Sequence, residues 1–194
     1  SFGKSFSPEQ PWVDSAIRYA ASNDVLIIHS AGNESYDLNT KSVYPSPISK
    51  FLKDRATNMI TVGASSDPLI AEGLLTDFSN YGNKIVDLLS PGKKIYSSLP
   101  NQQYGFLDGT SMSAPILSHI AALVRAYFPK LSAADVKAIL LQSCWKPNDQ
   151  STLLPVSLDQ SKRLNDISAE GGIINAALCI QNAIQFQRNN NKKQ

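Results

Sequence analysis

Trp12, Val13, Ala16, Ile17 and Ala20 recur at the 3.6-residue period, so the chain opens with an amphipathic helix that runs to about Ser22. Ser7 as a cap, Pro8 at the first helical position and Gln10 completing a capping box predict its start. Asn23 and Asp24 break the period, and Val25-Leu26-Ile27-Ile28 follows as a short apolar run of the kind found in strands buried on both faces. Two further runs, Met59 to Ala64 and Ile85 to Leu89, predict companion strands. Between them lie loop and turn signals: the Gly-, Asn-, Ser- and Pro-rich stretch Ala31 to Ser49, the turn Asn80-Tyr81-Gly82-Asn83, and Pro91-Gly92. Lys94 to Ser98 and Tyr104 to Leu107 read as a hairpin, and Met112 to Phe128 as a core helix stopped by Pro129. Ser132 followed by Asp135 caps another helix to about Ser143, and Lys146 to Ala169 reads as loop. Gly171-Gly172 precedes an apolar segment from Ile173 to Phe186, and residues 187–194 form a polar, frayed tail. Helices alternating with buried strands predict an α/β fold with a mainly parallel sheet and helices on both faces.

Composition narrows the function classes. The 194 residues are enough for one sizeable core, and 42% hydrophobic with 18% charged residues excludes a disordered polyelectrolyte. Eighteen Lys and Arg against sixteen Asp and Glu leave +2, too even for a nucleic-acid footprint, so no nucleic-acid partner is expected. No aliphatic run approaches the roughly 20 residues of a membrane span. The first residue is Ser1 with no leader before it, which predicts an excised or processed piece. Cys144 and Cys179, 35 positions apart, fit no metal-ligand spacing and read as two buried free thiols or one disulfide.

The candidate chemistry lies in two short segments. Gly109-Thr110-Ser111-Met112-Ser113-Ala114-Pro115 places a serine hydroxyl at a helix N-terminus behind a glycine, where unpaired amides and the helix dipole would stabilise an oxyanion formed when Ser111 attacks a carbonyl. The plain alternative is that Ser111 only caps the helix. Ala31-Gly32-Asn33 directly follows a buried strand, where ligand-facing loops of parallel sheets sit. There Asn33 would donate from its amide, or the pair Gly32-Asn33 would simply make a turn with left-handed geometry.

Together these segments resemble the subtilisin-like serine peptidases, the subtilase family. Gly109 to Pro115 is similar to that family's nucleophile motif, and Ser30-Ala31-Gly32-Asn33 to its oxyanion-asparagine motif. Asn58 to Ala64, Phe78-Ser79-Asn80-Tyr81-Gly82, Ser90-Pro91-Gly92 with Ile95-Tyr96-Ser97, and Gly171 to Ala176 follow in the family's order. The resemblance implies a three-layer α/β/α fold, with residues 1–186 as the C-terminal portion of a peptidase domain. It implies Ser111 as the acylated nucleophile, and Asn33 with the Ser111 amide as the oxyanion hole. Gly109 and Thr110 would shape the nucleophile loop. Ser1-Phe2-Gly3 would be the strand that binds substrate and one wall of the specificity pocket, with Ala31-Gly32 as the other.

Acyl transfer by serine also needs a base and an orienting carboxylate. In the subtilase order Asp, His, Ser, both would lie upstream of Ser1, so this piece is expected to be inactive alone. His119, eight residues along the same helix, stands about 12 Å up its axis, whereas a base must come within about 3 Å. His29 reads as a core or loop-adjacent histidine. His119 and Leu117 depart from the family's usual residues after Pro115, which keeps a non-catalytic pseudoprotease or peptide-binding module as the alternative. The expected partners are a peptide or protein substrate, the missing N-terminal part of the domain, and a second copy through an unpaired strand edge. No cofactor is required; structural calcium in the parent and an extracellular or periplasmic location are implied by the resemblance alone.

Overall fold

The computed structural model describes residues 7–49, 54–67, 74–148, 151–154 and 157–191. The first helix, α1, spans Gln10–Ser22 with Glu9 at its N-cap, so the cap predicted at Ser7 moves two residues on. No side chain caps it, and Pro11 rather than Pro8 occupies its first turn. A parallel sheet follows: β1 (Ile27–Ser30), β2 (Met59–Ser65) and β3 (Leu88–Pro91) pair in that order, and β9 (Ile173–Ile174) joins β3. The short β6 (Cys144–Trp145) closes the far side antiparallel to β9. Among the described residues β1 pairs only with β2, which leaves its outer edge open.

The hairpin before Gly109 is β4 (Ile95–Leu99) with β5 (Gln103–Leu107), and α2 (Thr110–Tyr127) begins shortly after it. Ser132 caps α3 (Ala133–Gln142) through the capping box its spacing with Asp135 predicts. The region predicted as loop from Lys146 instead holds a second hairpin, β7 (Ser151–Leu154) with β8 (Ser157–Arg163), and the one-turn α4 (Leu164–Ile167). Neither strand carries period-2 alternation within its own bounds, and β8 has Leu158 as its one apolar residue, so no strand pattern marked the hairpin. The last helix, α5 (Ala176–Asn191), continues into the residues predicted as a frayed tail.

All seven residues of β2 are buried, as a central parallel strand requires. Ile60, Val62 and Leu88 pack against Leu117, Ile120 and Val124 of α2, with α3 and α5 behind it. On the opposite face Val86, Leu89 and Ile173 pack with Ala31, Leu38, Tyr81 and Ile167. Cys144 and Cys179 both lie buried in the first core as free thiols, and burial pushes the Cys144 thiol up to about 12. Of the two readings of the cysteines, the free thiols are the one the structure adopts.

Leu117 is fully buried, and His119 stands exposed on another side of α2, so the histidine needs no room in the core. Leu117→Ala would leave a cavity in a closed core and should cost about 2–5 kcal/mol of unfolding free energy, measurable by denaturant titration.

Candidate active site

Gly109, the N-cap of α2, has φ +146°, a backbone conformation that disfavours any β-carbon. Its amide donates to Gly92 O at 2.8 Å. Gly92 in turn leaves room for Ser113 Oγ, which donates to Ser90 O at 3.0 Å; a β-carbon on Gly92 would lie 2.4 Å from that hydroxyl oxygen. The end of β3 thus fixes the height at which α2 begins. This is the physical role of Ser90-Pro91-Gly92 ahead of Gly109.

Asn33 lies just beyond the end of β1, and Thr110 is the first residue of α2. The Thr110 amide and the Thr110 hydroxyl both donate to Asn33 Oδ1 at 2.9 Å, and the same hydroxyl accepts from Gly32 N at 3.1 Å. A backbone amide is an obligate donor, so the atom it meets on Asn33 must be the oxygen. The Asn33 Nδ2 group is therefore the outward end. A β-carbon placed on Gly109 would sit 3.3 Å from Asn33 Nδ2 and 3.6 Å from Ser111 N. The bare glycine keeps open the space these two nitrogens flank. Ser111 N belongs to the first turn of α2, where the helix offers an amide no partner of its own. Pro115 lacks an amide hydrogen, so the Ser111 carbonyl loses its helical partner as well.

Of the residues singled out from sequence, Ser111, Asn33, Gly32, Gly109 and Thr110 come together. Ala31 does not present an open wall: it is 1% exposed and packs in the second core. Ser1, Phe2 and Gly3 lie outside the described residues. Among the described residues no group of three or more His, Cys, Asp or Glu side chains is placed to hold a metal.

Neither histidine is placed as a base for Ser111. His29 is buried in β1 with Nδ1 unpartnered, and desolvation lowers its pKa to about 4. His119 is on the exposed flank of α2, with Ile116 and Pro115 beside a groove that runs to Tyr96 of the hairpin.

Sequence reasoning took Asn80 for a turn residue and missed its role. Fully buried, it donates from Nδ2 to Ala31 O at 2.9 Å and to Glu34 Oε2 at 2.6 Å. Its Oδ1 accepts from Glu34 N and Tyr36 N, and its own amide donates to Gly32 O. One residue thus holds the backbone on both sides of Asn33. Its position in Phe78-Ser79-Asn80-Tyr81-Gly82 was the available signal.

Asn80→Ala strands two amides and a buried carbonyl and should lower stability by about 2–4 kcal/mol in denaturant titration. His29 binds a proton more weakly folded than unfolded, so the native state loses stability as pH falls from about 6.5 towards 4. The loss should approach about 3 kcal/mol below pH 4, and it should vanish in His29→Leu when thermal unfolding is followed against pH.

A profile of the subtilase family matches residues 1–169. The major intracellular serine protease of Bacillus subtilis is 38% identical over 139 residues, which is 68% of this chain and 40% of that protein. Subtilisin-like protease 2 of Plasmodium falciparum is 28% identical over 161 residues, 79% of this chain and 10% of that protein. A solved chain of the subtilase cytotoxin SubAB assembly superposes with a TM-score of 0.68 at 26% identity, covering 96% of this chain and 59% of its own length. The chain thus spans less than half the length of these two curated relatives. The ordered motifs, the mainly parallel α/β sheet and these matches agree, and the chain belongs to the subtilase family.

Proposed function

We propose that Ser111 is the acylated nucleophile of a peptide-bond hydrolase, and that Asn33 Nδ2 and the Ser111 amide form its oxyanion hole. Family membership supports serine peptidase chemistry in general. The observation that carries the finer assignment is the fixed orientation of the Asn33 carboxamide, whose oxygen is held by Thr110 and whose NH2 group faces the space beside Ser111 N. Ser111 Oγ attacks the substrate carbonyl while a base takes its proton, and the oxygen that becomes anionic is met by two preset donors. Collapse expels the amine with that proton and leaves the acyl-serine, which water then hydrolyses by the same path.

The base and its orienting carboxylate come, in this reading, from residues other than these 194, since His29 is buried and His119 lies further along α2 on its exposed flank. These residues by themselves then lack turnover. The substrate is a peptide, and on the resemblance alone Ser1-Phe2-Gly3 would be the strand that binds it. Among the described residues no helix is long and apolar enough to cross a membrane. Action outside the cytoplasm belongs to the reading on the resemblance alone, and the intracellular name of the Bacillus relative marks the rival compartment.

The test uses the full-length protein with a peptide substrate and a fluorophosphonate probe. Wild type should hydrolyse the peptide and be labelled at Ser111, and Ser111→Ala should do neither. Asn33→Asp keeps an oxygen for Thr110 and removes the donor. Its kcat should fall at least about 10²-fold while labelling remains slow but measurable, the size of effect that losing this donor has in subtilisin. A folded full-length protein with neither hydrolysis nor labelling would assign the chain to the non-catalytic alternative.

A further inference from the structure

Thr110 grips Asn33 at Oδ1, which fixes where that oxygen lies. Where Nδ2 lies depends also on the backbone of Asn33, and a different residue sets that. Hydrogen bonds of Asn80 reach Ala31 and Gly32 before it and Glu34 and Tyr36 after it, so they bracket Asn33 from both sides. One end of the Asn80 side chain accepts from two amides while the other donates to the Ala31 carbonyl, a combination that a carboxylate cannot offer for want of a donor. Gly32, at φ +101°, is bare where a β-carbon would run into Asn80 Nδ2.

Asn80 is itself tied to the centre of the sheet. The Ser79 hydroxyl accepts from Ala64 N at 2.9 Å and donates to Asn80 O at 2.9 Å, and Ser79 and Asn80 are both fully buried. Ala64 belongs to β2, and so does its neighbour Ser65. Gly92 N donates to Ser65 O at 3.1 Å, and Gly109 N to Gly92 O at 2.8 Å. Two adjacent residues of one strand therefore carry the Asn33 loop through Ser79 and Asn80, and the start of α2 through Gly92 and Gly109. The two nitrogens beside Gly109 share a single frame.

We propose that Asn80 is a positioning residue for turnover, acting through Asn33 by holding its Nδ2 level with the Ser111 amide. This rests on the reading of Asn33 Nδ2 and the Ser111 amide as the oxyanion hole. Donors of this kind act by standing in place before the charge develops, so a slackened loop costs rate more than binding.

The experiment measures kcat and KM of the full-length protein on a peptide substrate for wild type, Asn80→Ala, Asn33→Asp and the double variant. Active sites are counted by fluorophosphonate labelling to completion, so that unfolded molecules do not enter kcat. Asn80→Ala should lower kcat by about 10-fold or more with KM within about twofold. Added to Asn33→Asp, it should change kcat by less than about twofold, because the donor that it places is already gone. Should Asn80→Ala fail to fold, Asn80→Ser, which leaves a hydroxyl and room for water, is carried through the same cycle with the same expectation. An equal loss of kcat in both backgrounds would make Asn80 a structural residue alone and overturn the proposal, as would an unchanged kcat or a loss confined to KM. Wild-type kcat in Asn33→Asp would instead overturn the oxyanion reading, and the proposal with it.

Discussion

Two hydrogen bonds from Thr110 to Asn33 Oδ1 join segments 77 residues apart, and the candidate site depends on them. They fasten the loop after β1 to the first turn of α2, and in doing so they turn the Asn33 amino group outward. A site of this kind works through donors that need no reorganisation during reaction. Here the amide of Ser111 is fixed by the helix, and the amide of Asn33 by an oxygen that Thr110 has already claimed.

The rest of the fold can be read as support for that junction. β1 and β3 flank β2 in parallel register, so the loops at their ends emerge on the same side of the sheet. Asn80 satisfies the backbone around Asn33 from one side. Gly92 and Ser113 lock the end of β3 to α2 from the other, at a contact too close for a β-carbon. The core beneath, from Ile60 and Val62 to Leu117 and Val124, makes the helix a rigid mount.

The carboxamide of Asn80 and the buried polar atoms at the α1 seam differ in how they are met. Around Asn33 both polar atoms of the Asn80 side chain are partnered, which defines a single loop conformation. At the α1 seam, Gln10, Asp14 and Asn58 each keep a buried atom without a partner. Such atoms cost stability.

The order of helices and buried strands, the hairpin before Gly109, the capping box at Ser132, and the pair Ser111 and Asn33 were legible in the sequence. Each rests on local periodicity, local turn chemistry or a contiguous motif. Boundaries shifted where flanking residues compete: Val25 and Leu26 stay outside β1, since pairing begins at Ile27 opposite Met59. The hairpin from Ser151 to Arg163 escaped notice because neither of its strands alternates, and the burial of Ala31 because packing depends on partners distant in the chain. Sequence by itself determined which residue types stand at the site, since a glycine, a serine and an asparagine at those spacings are local facts. Only the tertiary structure decided which way the Asn33 amide faces and that Asn80 holds its loop, because each is a contact between segments that the chain separates and the packed sheet brings together.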